Sequence, residues 1–392
     1  MREYLLCLFA AAAVTYLITP AARRFALRIG AVAEVRDRDV HSVPTPRLGG
    51  LAIAAGLFAA FLFASQLPLM QSVYDRETGT ATALLAAMGV LLLVGVIDDR
   101  WGLDAPTKAV GQVVAAAILA YGGISLSWLP IGGVFVLDPL TSVLLTVFIV
   151  VATINAINFV DGLDGLAAGI SAIAAAGFFA YSYVLSVVNG FDRATLPTLT
   201  SAALVGACVG FLPHNFFRAR IFMGDTGSML IGMTLATSTI TLVGRVDPNA
   251  LEGTTFIPAL LPLLLPFAVL AVPLLDLVMT IARRTWAGRS PFHPDKGHLH
   301  HRILEMGHSQ TRAVLLLYGW ALTLAGTTVA MAFVPVIYAL AFGSLMLVGL
   351  VLAARAPDQN KDTVAMGRAG ARAEGSQPHE ESNGQHGNDQ QI

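Results

Sequence analysis

The chain has 392 residues, of which 55% are hydrophobic and 12% charged, with a formal net charge of −1. A soluble domain carries about 25% charged residues, so this lower share, set between long apolar runs, excludes an ordinary water-soluble globular protein and points to the bilayer as solvent. The two cysteines, Cys7 and Cys208, lie in apolar stretches without ligand spacing, which excludes a disulfide framework and a cysteine metal site.

A membrane-crossing helix needs about 20 mostly apolar residues. In chain order such runs fall at 4–21, 49–67, 80–97, 106–123, 138–155, 165–188, 197–214, 227–244, 257–282, 312–333 and 335–354. The expected fold is therefore all-α, a polytopic transmembrane bundle of about 11 spans over residues 1–354. Only Val334 and Pro335 divide the last two runs, so ten spans is the alternative. Arg23, Arg24 and Arg28 follow the first run instead of preceding it, the reverse of a signal peptide. That predicts an uncleaved first span with its N-terminus outside. Alternation from there puts twenty of the 24 basic residues on the inner side and four on the outer. This is the asymmetry of the positive-inside rule, and it makes the C-terminus cytoplasmic. Residues 355–392, rich in Gly, Gln, Glu, Asn and Ser, are expected to form a disordered tail.

On this topology the polar constellations collect on the inner face. Asp98 and Asp99 close the third span. Two adjacent carboxylates repel unless a cation is near, and such hard oxygen ligands suit Mg²⁺; a solvated charged helix end is the plainer reading. The next inner loop carries Asn155, Asn158, Asp161 and Asp164, spaced in threes so that side chains share a helical face, with Gly162 and Gly165 allowing close approach to a ligand. The third, Phe222–Ser228, places Thr226 or Ser228 to cap the following helix. That helix N-terminus favours a phosphate, and Asp225 beside it makes sense with a metal between them. The longest inner loop holds Arg283, Arg284, Lys296, His298, His300, His301 and Arg302, suited to pyrophosphate oxygens. Its histidines lack the helical spacing of a zinc site. Asp276 lies within the ninth expected span, where a carboxylate is either functional or an interhelical bond.

These loops, in this order, resemble the polyprenyl-phosphate N-acetylhexosamine-1-phosphate transferase family from about Arg38 to Arg302. The matching stretches are PTPRLGG at Pro44–Gly50, DDRWGL at Asp98–Leu103 with Lys108 and Gln112, NAINFVDGLDGLAAG at Asn155–Gly169, FMGDTGS at Phe222–Ser228 and HLHHR at His298–Arg302. The resemblance implies attack of a polyprenyl phosphate on the β-phosphorus of a UDP-amino sugar, giving polyprenyl-pyrophosphoryl sugar and UMP, with Mg²⁺ (or Mn²⁺ as a substitute) as cofactor. Gly102–Leu103 stand where the peptidoglycan branch carries a lysine, and His298-Leu-His300-His301 replaces its unbroken histidine run. Both features resemble the GlcNAc-1-phosphate branch, and the wording of the motifs resembles actinobacterial enzymes whose lipid is usually decaprenyl phosphate.

By the same resemblance, Asp225 and Asp99 are the expected metal ligands, with Asp98, Asp99 and Asp161 as catalytic carboxylates. Asp98 or Asp99 would act as base, or one aspartate as covalent nucleophile; both schemes stay open. Lys108, Asn155, Asn158, Asp164, Phe222, His298, His300, His301 and Arg302 are the expected substrate contacts. Asp164 and Phe222 would meet the uridine, and Arg38 and His41 are weaker phosphate or nucleotide candidates. The expected partners are UDP-GlcNAc, a deca- or undecaprenyl phosphate and the bilayer, with no nucleic acid and a homodimer left open. The expected location is the plasma membrane with a cytoplasmic site. The rival readings are a phospho-MurNAc-pentapeptide transferase and an ion-coupled transporter.

Overall fold

The computed structural model describes residues 1–33, 44–130, 134–187, 195–244 and 308–355, with a few isolated positions between 264 and 288. The expected ninth span with Asp276, the inner-loop residues Arg38 and His41, the cluster His298, His300, His301 and Arg302, and the tail from residue 356 lie outside these segments.

Ten of the expected apolar runs form helices: α1 (Arg2–Ile29), α2 (Gly49–Ala64), α3 (Pro68–Trp101), α4 (Ala105–Tyr121), α5 (Pro139–Val160), α6 (Leu166–Val187), α7 (Thr195–Asn215), α8 (Gly224–Gly244), α9 (Gln310–Ala330) and α10 (Val336–Arg355). Among the described residues, eight are long and apolar enough to cross a bilayer. The two that fall short are α2 and α4, of 16 and 17 residues, which at 1.5 Å per residue reach about 24–26 Å. The break at Val334–Pro335 is real: α9 ends at Ala330, and Pro335 starts the next turn by accepting from the Tyr338 N–H at 2.9 Å. The strands are marginal. β1 (Val32–Ala33) pairs antiparallel with β2 (Thr45–Pro46), and β3 (Trp128–Pro130) with β4 (Val134–Val136) as a hairpin between α4 and α5.

Helix α8 is the centre of the bundle. Every residue from Thr226 to Val243 is buried, and α8 packs against α2, α3, α5, α6 and α7. A helix enclosed on all sides needs no polar stripe, and its hydroxyls turn inward on their own backbone. Thr234, Ser238, Thr239 and Thr241 donate to the carbonyls of Leu230, Thr234, Leu235 and Thr237. Small residues set the interhelical distances, as expected where lipid supplies no hydrophobic drive. A Cβ at Gly206 or Gly210 of α7 would strike the backbone of α1 at Leu8 and Ala12, and one at Gly232 of α8 would strike Ile154 of α5.

Pro20 interrupts α1. Having no N–H, it leaves the Tyr16 carbonyl without its helical donor. His214, at the end of α7, places Nε2 3.1 Å from that oxygen. The rings of Tyr16 and His214 lie 4.8 Å apart.

Candidate active site

The first eight helices alternate in direction, so one end of the bundle gathers the C-termini of α1, α3, α5 and α7 and the N-termini of α2, α4, α6 and α8. The motifs met separately along the chain converge there.

Asp98 and Asp99 are both buried, 6% and 7% exposed, yet they do different work. Asp99 caps α8. Its Oδ1 accepts the Asp225 N–H at 2.8 Å, and its Oδ2 accepts the Thr226 N–H at 3.1 Å and the Thr226 hydroxyl at 2.6 Å. A carboxylate across a helix N-terminus satisfies orphan donors and meets the positive end of the dipole. The cap of α8 thus comes from α3. Thr226 donates to it instead of acting as the cap itself, and the Ser228 hydroxyl goes to the Asp225 carbonyl and Asn158 Oδ1, both at 3.3 Å. Gly224 makes the approach feasible: its φ is +69°, and a Cβ there would collide with both Asp99 oxygens.

Asp98 looks the other way. Its Oδ1 accepts the Leu103 N–H at 2.6 Å, and its Oδ2 lies 2.6 Å from Lys108 Nζ. The turn that allows this is tight: the Gly102 N–H reaches the Asp98 carbonyl at 2.8 Å with φ +72°. Asp104 then opens α4, and one turn later Lys108 faces back to the site. Its ammonium also lies 2.6 Å from Asp225 Oδ2. Lys108 therefore bridges carboxylates from α3 and α8, a cation held between two anions.

The strap before α2 forms the floor. Phe222 N–H donates to the Pro46 carbonyl at 2.9 Å, Gly49 N–H to the Phe222 carbonyl at 2.9 Å and Gly50 N–H to the Met223 carbonyl at 2.8 Å. A Cβ at Gly50 would strike the backbone at Thr226–Gly227, and one at Gly95 of α3 would strike Thr226. PTPRLGG and FMGDTGS are thus one backbone-paired unit. Phe222 itself is half-buried.

The loop between α5 and α6 is held by side chains. Asp164, buried, accepts the Ala219 N–H on Oδ2 at 3.0 Å. Asn215 accepts the Gly165 N–H at 3.1 Å and donates to the Ile221 carbonyl at 3.0 Å, joining the two loops. The Tyr318 hydroxyl of α9 donates to the Gly165 carbonyl at 2.5 Å. The two asparagines act as latches: Asn155 donates to Gln112 of α4 and to the Val151 carbonyl, both at 2.8 Å, while Asn158 accepts from Ser228.

Asp161 is the exception. Half-buried just past α5, its carboxylate takes no hydrogen bond and no ion pair among the described residues. Burial, then the negative charges of Asp225 and Asp99, push its pKa up to about 7, with Arg47 opposing and Asp164 adding to the rise. Among the described residues no three acidic or histidine side chains converge as a metal cage.

The structure therefore brings together Asp98, Asp99, Lys108, Asp161, Asp164, Phe222 and Asp225, with Asn155 and Asn158 at their edge. Sequence reasoning assigned no role to Arg47, Asn215 or Tyr318. Arg47 stood inside a quoted motif and Asn215 seven residues before another, but nothing local marks Tyr318.

The model of glycosyl transferase family 4 matches residues 81–243, from α3 to α8. The chain is 47% identical over 358 residues to the decaprenyl-phosphate N-acetylglucosaminephosphotransferase of Mycolicibacterium smegmatis, covering 90% of this chain and 88% of that protein. It is also 47% identical to the Mycobacterium tuberculosis protein of the same name over 325 residues, 82% and 80% of the two chains. A probable undecaprenyl-phosphate N-acetylglucosaminyl 1-phosphate transferase of Bacillus subtilis matches at 30% identity, over 77% of each. With likeness of that extent laid over a charged cluster at one end of a membrane bundle, the chain belongs to glycosyl transferase family 4, among the polyprenyl-phosphate N-acetylhexosamine-1-phosphate transferases.

Proposed function

We propose that this membrane transferase moves GlcNAc-1-phosphate from UDP-GlcNAc to a polyprenyl phosphate, decaprenyl phosphate by its likeness to the mycobacterial proteins, at the cytoplasmic face of the plasma membrane. One observation carries the reading: Asp98, Lys108, Asp161 and Asp225 form one cluster of interacting charges at the bundle end where α3, α4, α5 and α8 meet. An oxygen of the lipid phosphate attacks the sugar-bearing phosphorus. The phosphoanhydride bond to UMP breaks, and UMP leaves with the bridging oxygen. Both substrates are anionic, so the work is positioning and charge neutralisation.

The pocket suits Mg²⁺. It already holds one cation, the Lys108 ammonium, between two carboxylates, and its donors are hard oxygens. Mg²⁺ binds through one or two carboxylates plus water and substrate phosphates, so no protein cage is required. Asp225 and Asp161 would hold the ion, which supplies neutralising charge to the phosphates. Asp99, committed to the α8 cap, orients Asp225. In this reading Lys108 follows a phosphate oxygen, and Asp164 and Phe222 meet the uridine. A lipid phosphate, with a second pKa near ~6, is mostly dianionic at neutral pH and needs little help from a base. Both oxygens of Asp98 are engaged, which favours direct attack over a covalent aspartyl intermediate.

The test is UMP release by purified protein given decaprenyl phosphate and either UDP-GlcNAc or UDP-MurNAc-pentapeptide, with Mg²⁺ or with EDTA. UMP from UDP-GlcNAc alone, dependent on Mg²⁺ and on lipid, is expected. Asp225→Asn should lower it by about 10²–10³-fold. UMP from the pentapeptide substrate, or from neither, would reject the reading.

A further inference from the structure

The strap from Thr45 to Gly50 is buried at every position except Arg47, which is half-buried. Its backbone is pinned on both sides. Arg47 N–H donates to the Ala31 carbonyl at 2.9 Å, and Pro46 and Gly49 bond to Phe222. Leu48 takes a left-handed conformation, φ 78° and ψ 20°, which a leucine rarely adopts. That step sends neighbouring side chains apart. Leu48 enters a small core with Ala26 and Ala31, while the charge of Arg47 acts on Asp99 and Asp161. It stays beyond the 4.0 Å of an ion pair with either, and among the described residues its guanidinium makes no hydrogen bond. A half-buried arginine on a pinned strap, whose charge reaches Asp99 and Asp161 and whose donor fork is unused among the described residues, is unlike the arginines that serve orientation alone. Arg23, for instance, spends its Nε on the Arg220 carbonyl at 3.0 Å.

We propose that Arg47 is a substrate-phosphate contact of the transfer site, its planar fork closing on phosphate oxygens delivered to the Asp161–Asp225 side of the pocket. Resting on the transferase reading above, this adds a residue to the anion-binding set. A guanidinium matches two phosphate oxygens at once, which an ammonium cannot. The backbone bonds of the strap to Ala31 and Phe222 fix the point from which the Arg47 side chain extends. The phosphates could be those of the nucleotide sugar or of the lipid, and the experiment separates them.

The measurement is binding of UDP and of uridine to purified protein in detergent, with KM for decaprenyl phosphate and the melting temperature, for wild type, Arg47→Lys and Arg47→Met. If Arg47 holds the nucleotide diphosphate, Arg47→Met lowers the ratio of UDP to uridine affinity by about 10–100-fold, and Arg47→Lys by less, as expected for a charge-assisted bond of about 1.5–3 kcal/mol. If it holds the lipid phosphate, that ratio stands and KM for decaprenyl phosphate rises by a similar factor. A lowered melting temperature with both quantities unchanged, in Arg47→Met or in the milder Arg47→Lys, would make the residue structural and overturn the proposal. Wild-type protein that neither prefers UDP to uridine nor releases UMP would instead sink the transferase reading itself.

Discussion

Asp99 and Asp161 stand a short distance apart in one pocket, and their surroundings are opposites. Around Asp99 the chain is locked by backbone: α3, α8 and the strap meet through glycines and main-chain hydrogen bonds, and the carboxylate is consumed as a helix cap. Around Asp161 the loop is tied by side chains from Asn215 and Tyr318, and the carboxylate itself is tied to nothing described. Buried negative charge is tolerable in the first place because donors surround it. In the second it is poorly tolerated, which is the condition a bound cation relieves. Like residues at like motif positions are thus divided between building the site and working in it.

Substitution at these two positions should split the readouts. Asp161→Asn is expected to lower UMP release by about 10²–10³-fold without lowering the melting temperature. The pH dependence gives the sign. A carboxyl whose folded pKa is raised from 3.8 to about 7 holds its proton in the folded state where the unfolded chain has lost it. Stability therefore falls as pH rises through that window. The melting temperature of Asp161→Asn relative to wild type should climb from pH 4 to about pH 7 and then level off. A gap that shrinks over that range would contradict the assignment. Binding of Mg²⁺ by wild type, followed by isothermal calorimetry, should weaken as pH falls below about 7, because the proton competes for the same oxygen.

At the locked end the effect is on folding. Gly224→Ala drives a Cβ into the Asp99 carboxylate and forces an L-residue to φ +69°. A loss of about 2–4 kcal/mol is expected, with poor recovery of folded protein by size-exclusion chromatography. Asn215→Ala leaves the Gly165 N–H and the Ile221 carbonyl without their partner. That should cost about 2–4 kcal/mol and lower turnover by loosening the loop bearing Asp161. Tyr318→Phe removes one hydrogen bond, about 0.5–1.5 kcal/mol, and should reduce kcat a few-fold with KM nearly unchanged. If Tyr318→Phe matched Asp161→Asn in severity, the division between building and working groups would fail.

Much of the fold was legible because the bilayer demands it. Every apolar run tested by the described residues became a helix, and alternation alone placed DDRWGL, NAINFVDGLDG and FMGDTGS at one end. What hydropathy cannot carry is pairing across the chain. Lys108 meets Asp225 over 117 residues, and Asp99 meets Thr226 over 127, so adjacent aspartates looked equivalent until their partners were known. Thr226 looked like a cap because short polar residues before apolar helices usually are. A buried carboxylate from another helix outcompeted it. Tyr318 was invisible because a tyrosine in an apolar run reads as packing, and its one polar bond depends on a loop 153 residues away. Arg47 reads in the sequence as one more inner-face charge that orients the chain.

The bond from His214 to the Tyr16 carbonyl has a consequence for how α7 tolerates change. His214 reads the gap that Pro20 leaves in α1, while its neighbour Asn215 reads the two loops of the site. Adjacent residues on a helix point about 100° apart, so α7 works as a key with two teeth cut at a fixed angle. One residue inserted anywhere along α7 before His214 turns both teeth out of their locks together. Length changes in this family should therefore be rejected within α7 ahead of His214.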